Sequence, residues 1–154
     1  MRADYDDLAK RIAAVADGET DAVALMATVV CELHHADERF DWTGFYRVVA
    51  PGLLKIGPYQ GGHGCLTIPF SRGVCGAAAR EEAVQIVPDV EAFPGHIACS
   101  SSTRSEIVLP VHGPDGALIA VLDIDSDAPD AFDDGDAAGL SRILRDTFGR
   151  EGVA

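Results

Sequence analysis

The sequence is poor in basic residues: 12 Lys and Arg stand against 25 Asp and Glu, a net charge of −13 at pH 7. Because phosphate binding requires clustered Lys and Arg, this balance argues against a nucleic-acid partner. It also disfavours anionic membrane surfaces. The apolar runs are too short to span a bilayer, and the N-terminal stretch lacks the charged-then-apolar leader of a signal peptide. We therefore expect a cytoplasmic protein without nucleic-acid or membrane partners.

The four cysteines include no C-x-x-C pair, the spacing that most zinc modules use. His63-Gly-Cys65 and His96-Ile-Ala-Cys99 place histidine close to cysteine, but these loop spacings match no familiar zinc site. We therefore expect no metal. In the cytoplasm, cysteines are more often catalytic or redox-active than paired in structural disulfides.

The pattern of apolar residues predicts an α+β fold with one domain over residues 1–154. Helical periodicity predicts N-terminal helices within residues 4–36 and a C-terminal helix over 133–150. Between them, short alternating segments with turn residues predict antiparallel strands and active-site loops over 40–125. We expect the helices on one side of the sheet. The expected caps are Thr20 or Asp21 for the second helix and Asp133 or Asp134 for the last helix.

Three cysteines, Cys65, Cys75 and Cys99, fall at junctions between loops and regular elements. Cys75 lies at a helix start, where unpaired backbone N–H groups favour a thiolate. Cys99 is followed by small hydroxyl residues and lies near His96 and Arg104. A thiolate that reduces a substrate becomes a sulfenic acid, with which a second thiol condenses. Three unrelated structural cysteines are the alternative.

Cys31 differs from the other three because it lies inside the second predicted helix, with Glu32 and Leu33 beside it. Buried packing is the common role of a helical cysteine without charged or glycine-rich neighbours. We therefore expect Cys31 to be buried and inert.

Two carboxylates interrupt an apolar strand near its end. Asp123 and Asp125 share one face of that strand because side chains alternate with a period of two. Glu106, on the neighbouring strand of the predicted hairpin, could join them. Neighbouring carboxylates repel one another unless a cation lies between them. The ammonium group of a substrate could be that cation. A calcium loop is improbable, since the required glycine and glutamate are absent at its sixth and twelfth positions. Solvated surface acids are the alternative, which fits an apolar strand poorly.

Trp42 and Tyr46 are four residues apart and share one face of the first strand. Core packing is the default interpretation of such a pair. The alternative is a small apolar pocket wall, because aromatic faces suit methyl and thioether groups.

Six motifs occur in order along the chain: W-T-G-F-Y, G-P-Y-Q-G, I-P-x-x-R-G-V-C-G, D-V-x-A-F-P-G-H-I-A-C, S-E-I-V-L-P and A-V-L-D-I-D-S. Together they resemble the free methionine-(R)-sulfoxide reductases, which are single GAF domains. The resemblance covers about residues 41–140. It implies a six-stranded antiparallel sheet flanked by helices, in agreement with the α+β prediction.

The resemblance also implies a function and its residues. Cys99 corresponds to the nucleophile, Cys75 to the resolving cysteine that forms a disulfide with it, and Cys65 to an alternative resolving or recycling thiol. The residues implied to hold the substrate are Trp42, Tyr46, Glu106, Asp123 and Asp125. The implied reaction reduces free L-methionine-(R)-S-oxide to methionine through a Cys99 sulfenic acid, without metal or organic cofactor.

Members of this family are reduced by thioredoxin and commonly form homodimers, which the resemblance extends to this chain. The alternative is a non-enzymatic GAF sensor that binds a small ligand or reports redox state through a disulfide.

Overall fold

The computed structural model describes residues 2–154, which form four helices and six strands. The helices are α1 (Tyr5–Val15), α2 (Ala22–Ala36), α3 (Gly73–Glu81) and α4 (Asp134–Phe148). The strands are β1 (Trp42–Ala50), β2 (Leu53–Gln60), β3 (Thr67–Pro69), β4 (Gln85–Val87), β5 (Ser105–His112) and β6 (Leu118–Ser126). A short 3-10 turn over Val90–Ala92 lies between β4 and β5.

The strands form one sheet in the order β3-β2-β1-β6-β5-β4, and all neighbouring pairs are antiparallel. Strands β1, β6 and β5 are long and lie side by side in the middle of the sheet. Their registers place Trp42 opposite Asp125 and Glu106 opposite Asp125 on the other side. The predicted α+β fold, with a six-stranded antiparallel sheet and flanking helices, is confirmed.

The two faces of the sheet carry separate apolar layers because strand side chains alternate. On one face, Phe45, Ile107 and Leu122 pack with apolar residues of α1, α2 and α4. On the other, Tyr46, Val108 and Val121 pack against α3. The expectation that all helices lie on one side is therefore wrong for α3. This helix is short and alanine-rich, and its small side chains let it lie close over the second face.

Helix starts were the most accurate part of the prediction. The side chain of Asp21 caps α2 through the backbone N–H of Ala24, at 2.9 Å. Asp133 caps α4 and forms a reciprocal capping box with Asp136. Within residues 2–154, no helix combines the length and apolar character needed to cross a membrane.

The prediction for Cys31 is wrong, since this residue is exposed on α2. It lies on a stripe with Ala24, Ala27 and His35, all exposed, while Leu25, Val29 and Leu33 face the core. The helix is apolar on most of its surface, so its sequence does not mark the buried side clearly.

A buried ion-pair network joins the N-terminus, α2 and α4. The Arg39 guanidinium donates to Asp37 Oδ2 at 2.6 Å and to Asp136 Oδ1 at 2.9 Å. The Tyr5 hydroxyl donates to the same oxygen of Asp136 at 2.7 Å. The two carboxylate side chains are 0% and 1% exposed, so a cation compensates each buried charge in this network.

Candidate active site

A pocket opens on the sheet face that α3 covers. Its floor comes from β1, β5 and β6, its side from the start of α3, and its rim from the loop over residues 96–103. The residues that line it are Tyr46, Ile68, Gly73, Val74, Cys75, His96, Ile97, Cys99, Ser100, Thr103, Glu106, Asp123 and Asp125. Six of the eight predicted site residues thus meet in one place; Trp42 and Cys65 lie just outside the lining.

The three predicted carboxylates converge on the pocket floor. Glu106 is 6% exposed and Asp123 4% exposed. Oδ1 of Asp123 and Oδ1 of Asp125 are buried, and neither forms a hydrogen bond with any described residue. Burial, followed by the charge of the neighbouring carboxylates, raises the pKa of Asp123 and of Asp125 well above the ordinary range. Burial and mutual repulsion therefore favour the protonated forms of Asp123 and Asp125.

Cys99 is joined to Cys65 by a disulfide, with the two Cα atoms 5.3 Å apart. The resemblance had led us to expect Cys75 as the partner of Cys99. In the structure Cys75 is a free, buried thiol instead, because it points from α3 towards the pocket floor while Cys65 lies on the loop that reaches Cys99. The disulfide in the structure therefore uses Cys65, the alternative partner that the resemblance had left open, and not Cys75.

Cys75 also differs from prediction in its acidity. Burial, and then the charge of Asp123 and Glu106, raises the pKa of its thiol well above the ordinary value. These effects outweigh the favourable position at the start of α3. The raised pKa favours the neutral thiol of Cys75 over the thiolate that its position at the helix start had suggested.

The loop that carries Cys99 is held against α3 by a backbone contact. Gly73 opens α3 with φ of +71°, a conformation that favours glycine. Its N–H donates to the carbonyl of Gly95 at 3.1 Å. Of the two basic residues near Cys99 in the sequence, His96 lines the pocket, whereas Arg104 is exposed and is not among the lining residues.

The aromatic residues form a stack beside the pocket. Trp42 lies between Tyr46 and Tyr59, with ring centroids 5.8 and 5.4 Å away and nearly parallel planes. Its indole N–H donates to the carbonyl of Gly62 at 2.8 Å. A Cβ on Gly64 would approach the Trp42 ring to 2.8 Å and the Tyr46 hydroxyl to 2.9 Å. Glycine there lets the Cys65 loop cover the stack.

Tyr46 thus contributes to the pocket wall, and Trp42 supports it from behind. Sequence reasoning missed Ile68, Gly73 and Val74 as lining residues. The R-G-V-C-G motif could have predicted two of them, because Gly73 and Val74 immediately precede the predicted site residue Cys75.

One set of side chains has the spacing of metal ligands among residues 2–154. The sulfur of Cys75 and one carboxylate oxygen each of Glu106 and Asp123 lie within 4.8 Å of one another. The His–Cys pairs considered from the sequence do not form such a set, because Cys65 and Cys99 use their sulfurs in the disulfide.

Comparison with known proteins identifies relatives of this chain. The GAF domain profile matches residues 3–147. The free methionine-R-sulfoxide reductase of Escherichia coli (strain K12) is 40% identical over 140 residues, covering 91% of this chain and 84% of that protein. The enzyme of the same name from Saccharomyces cerevisiae is 38% identical over 137 residues, covering 85% and 76%.

A solved structure of similar fold is free methionine-R-sulfoxide reductase from Neisseria meningitidis in complex with its substrate. It superimposes with a TM-score of 0.87 at 40% identity, covering 99% of this chain and 96% of that one.

Proposed function

This chain belongs to the GAF domain family and, within it, to the free methionine-R-sulfoxide reductases, and on that premise we propose that it reduces free L-methionine-(R)-S-oxide to L-methionine. The observation that carries the proposal is the pocket that brings Cys99 together with three carboxylates, of which Glu106 and Asp123 are buried. A nucleophilic sulfur, a proton source and a binding site for an amino group are the parts that this reduction requires.

In the proposed reaction, the Cys99 thiolate attacks the sulfoxide sulfur while a carboxylic acid protonates the sulfoxide oxygen. The protonated oxygen then transfers from the substrate sulfur to the Cys99 sulfur while the bond between the two sulfurs breaks, so methionine leaves with two additional electrons and Cys99 becomes a sulfenic acid. Glu106 and Asp125, which face each other across the β5–β6 pair, are the candidates for the proton donor. A carboxyl group with a raised pKa, such as that of Asp125, is suited to this step.

The second step closes a disulfide. The Cys65 thiol attacks the Cys99 sulfenic acid, and water is released. The Cys65–Cys99 bond in the structure supports Cys65 as the resolving cysteine. Thioredoxin then reduces the disulfide by thiol exchange and restores both thiols. Cys75 takes no part in this cycle.

The remaining carboxylate, Asp123, is proposed to hold the substrate's α-ammonium group. Tyr46, supported by Trp42, is proposed to contact the methyl group of the sulfoxide. A free amino acid rather than a peptide residue follows from this arrangement, since a peptide bond would remove the ammonium charge.

The proposal also includes a single GAF domain over residues 1–154, a homodimer, and a cytoplasmic location. One continuous sheet and the match over residues 3–147 support the single domain. A thioredoxin-reduced disulfide cycle suits a reducing compartment. Sedimentation equilibrium tests the dimer directly.

The decisive experiment is thioredoxin-coupled NADPH consumption with the separated R and S epimers of free methionine sulfoxide. We expect turnover with the R epimer only. A peptide containing methionine sulfoxide serves as the control substrate and is expected to be inert. If neither free epimer is reduced while thioredoxin is active and the enzyme's thiols are reduced, the reductase proposal is wrong and the GAF sensor becomes the better hypothesis.

A further inference from the structure

Cys75 has no part in the proposed cycle, yet it points at the most charged part of the pocket. Its thiol is free while Cys65 and Cys99 are joined. Its sulfur and one oxygen each of Glu106 and Asp123 lie within 4.8 Å of one another. All three residues are buried, at 4%, 6% and 4% exposure. A soft sulfur and two carboxylate oxygens therefore share a small enclosed volume.

These carboxylates lack the compensation that the other buried acids of the protein have. Arg39 lies 2.6 Å from Asp37 and 2.9 Å from Asp136. In the pocket, His96 is the one basic side chain among the described lining residues. Oδ1 of Asp123 is buried and has no hydrogen-bond partner among the described residues. A buried carboxylate oxygen without a hydrogen-bond partner is costly, and a bound cation would offset that cost.

We propose that Cys75, Glu106 and Asp123 form a binding site for a thiophilic divalent cation. Under physiological conditions this cation would be Zn²⁺. Zinc accepts both thiolate and carboxylate ligands, at about 2.3 Å to sulfur and about 2.0–2.2 Å to oxygen. Tetrahedral geometry with these bond lengths separates sulfur and oxygen by about 3.5 Å. Side-chain adjustments of about 1 Å would therefore bring the three ligands into place.

The fourth position would face the open side of the pocket and take a water molecule, as zinc sites with three protein ligands do. Mg²⁺ and Ca²⁺ prefer sites made of oxygen ligands alone and are not expected to bind. Binding forms one metal–sulfur bond and two metal–oxygen bonds, and it displaces the thiol proton and any proton on the ligating carboxyl oxygens. No electron transfer is involved.

The consequence is inhibition: a cation on Glu106 and Asp123 would exclude the substrate's ammonium group. This consequence rests on the proposed function, whereas the site itself does not. Because Cys75 lies outside the disulfide, the site exists in the oxidised enzyme as well as in the reduced one.

The oxidised enzyme allows a clean test. In a Cys31→Ser background with the Cys65–Cys99 disulfide formed, Cys75 is the one remaining thiol. This protein is titrated with Cd²⁺, whose bond to a thiolate gives an ultraviolet charge-transfer absorption. We expect the absorption to saturate at one Cd²⁺ per chain, and we expect Zn²⁺, but not Mg²⁺, to abolish it by competition.

Two variants in the same background identify the ligands. Cys75→Ser should lose the absorption completely. Asp123→Asn should keep it but weaken Cd²⁺ binding by about 10-fold or more, since even groups that only orient metal ligands change affinity by about 10–100-fold. Absence of the absorption in the parent protein, or its persistence in Cys75→Ser, would overturn the proposal. The titration involves no turnover, so its outcome is independent of the reductase assay.

Discussion

Glu106 on β5 lies directly opposite Asp125 on β6, so the sheet holds two acidic side chains side by side on one face. Directly opposed like charges destabilise an antiparallel pair. The neighbouring pair Ile107–Ile124 is fully buried on the other face and holds the two strands in this register. The apolar core therefore offsets the free-energy cost of placing the two acids side by side. A pair of residues that destabilises the sheet points to a functional reason for the presence of the pair.

The first prediction concerns this pair. Asp125→Asn keeps the shape of the side chain but removes one of the opposed acids, so it should raise the free energy of unfolding by about 0.2–1 kcal/mol. If Asp125 provides the proton, the same change should lower kcat by about 10²–10⁴-fold. Urea unfolding and the coupled assay measure the two effects. The exposed Glu151→Gln is the matched control and should change neither. Loss of stability together with full activity would contradict both expectations.

The second prediction separates binding from chemistry. Asp123→Asn should chiefly raise KM for free methionine-(R)-sulfoxide, because it weakens the contact with the ammonium group in ground and transition states alike. Steady-state kinetics at saturating thioredoxin gives the two constants. An unchanged KM would remove Asp123 from the substrate site.

The third prediction is that Cys99→Ser abolishes turnover, because a serine hydroxyl cannot replace the thiolate as nucleophile or form the sulfenic acid. Cys31→Ser is the control, since Cys31 is exposed on α2 away from the pocket. It should keep the wild-type rate. A Cys99→Ser enzyme with near wild-type turnover would rule out the proposed mechanism.

The fourth prediction assigns the resolving cysteine. In Cys65→Ser, one equivalent of substrate should leave a sulfenic acid on Cys99 that a sulfenic-acid reagent labels, and thioredoxin-dependent turnover should fall. In Cys75→Ser, non-reducing peptide mapping should still find the Cys65–Cys99 disulfide. A Cys75–Cys99 peptide in the oxidised wild-type protein would show that Cys75 resolves instead.

These cysteines show why part of the site was predictable and part was not. The shared face of Asp123 and Asp125 follows from strand alternation, a local property, and the structure agrees. The pairing of Cys99 depends on how the loop after β2 folds over Trp42, which no local pattern encodes. The acidity of Cys75 likewise depends on carboxylates that β5 and β6 bring from 31 and 48 residues away, by their numbering.

The fold likewise has features that local sequence predicts and features that depend on distant segments. Capping residues such as Asp21 and Asp133 act within one turn of their own helix, so their sequence pattern was sufficient. The side of the sheet on which α3 lies, and the exposure of Cys31 on a mostly apolar helix, depend on packing between distant segments. Those two expectations were wrong for that reason.

The last prediction concerns stability in acid. Burial raises the pKa of Asp37 and of Asp136, but hydrogen bonds from Arg39 and nearby backbone N–H groups outweigh it, so both pKa values lie below their ordinary range. In the unfolded chain the pKa of these carboxyl groups is about 3.9. Their contribution to stability is therefore complete above that pH and is lost as pH falls towards the folded-state values.

Arg39→Ala should accordingly cost about 3–5 kcal/mol at pH 7, because it leaves the buried Asp37 without its cation and leaves Asp136 paired only with the exposed Arg2. It should also flatten the fall in stability below about pH 4, since Asp37 and Asp136 would no longer be held ionised. Arg142→Ala is the matched control: its partners Asp6 and Asp146 are exposed, and such pairs contribute about 0–1 kcal/mol. Urea unfolding between neutral and acidic pH compares the three proteins. Equal acid sensitivity in wild type and Arg39→Ala would mean that other carboxylates govern acid unfolding.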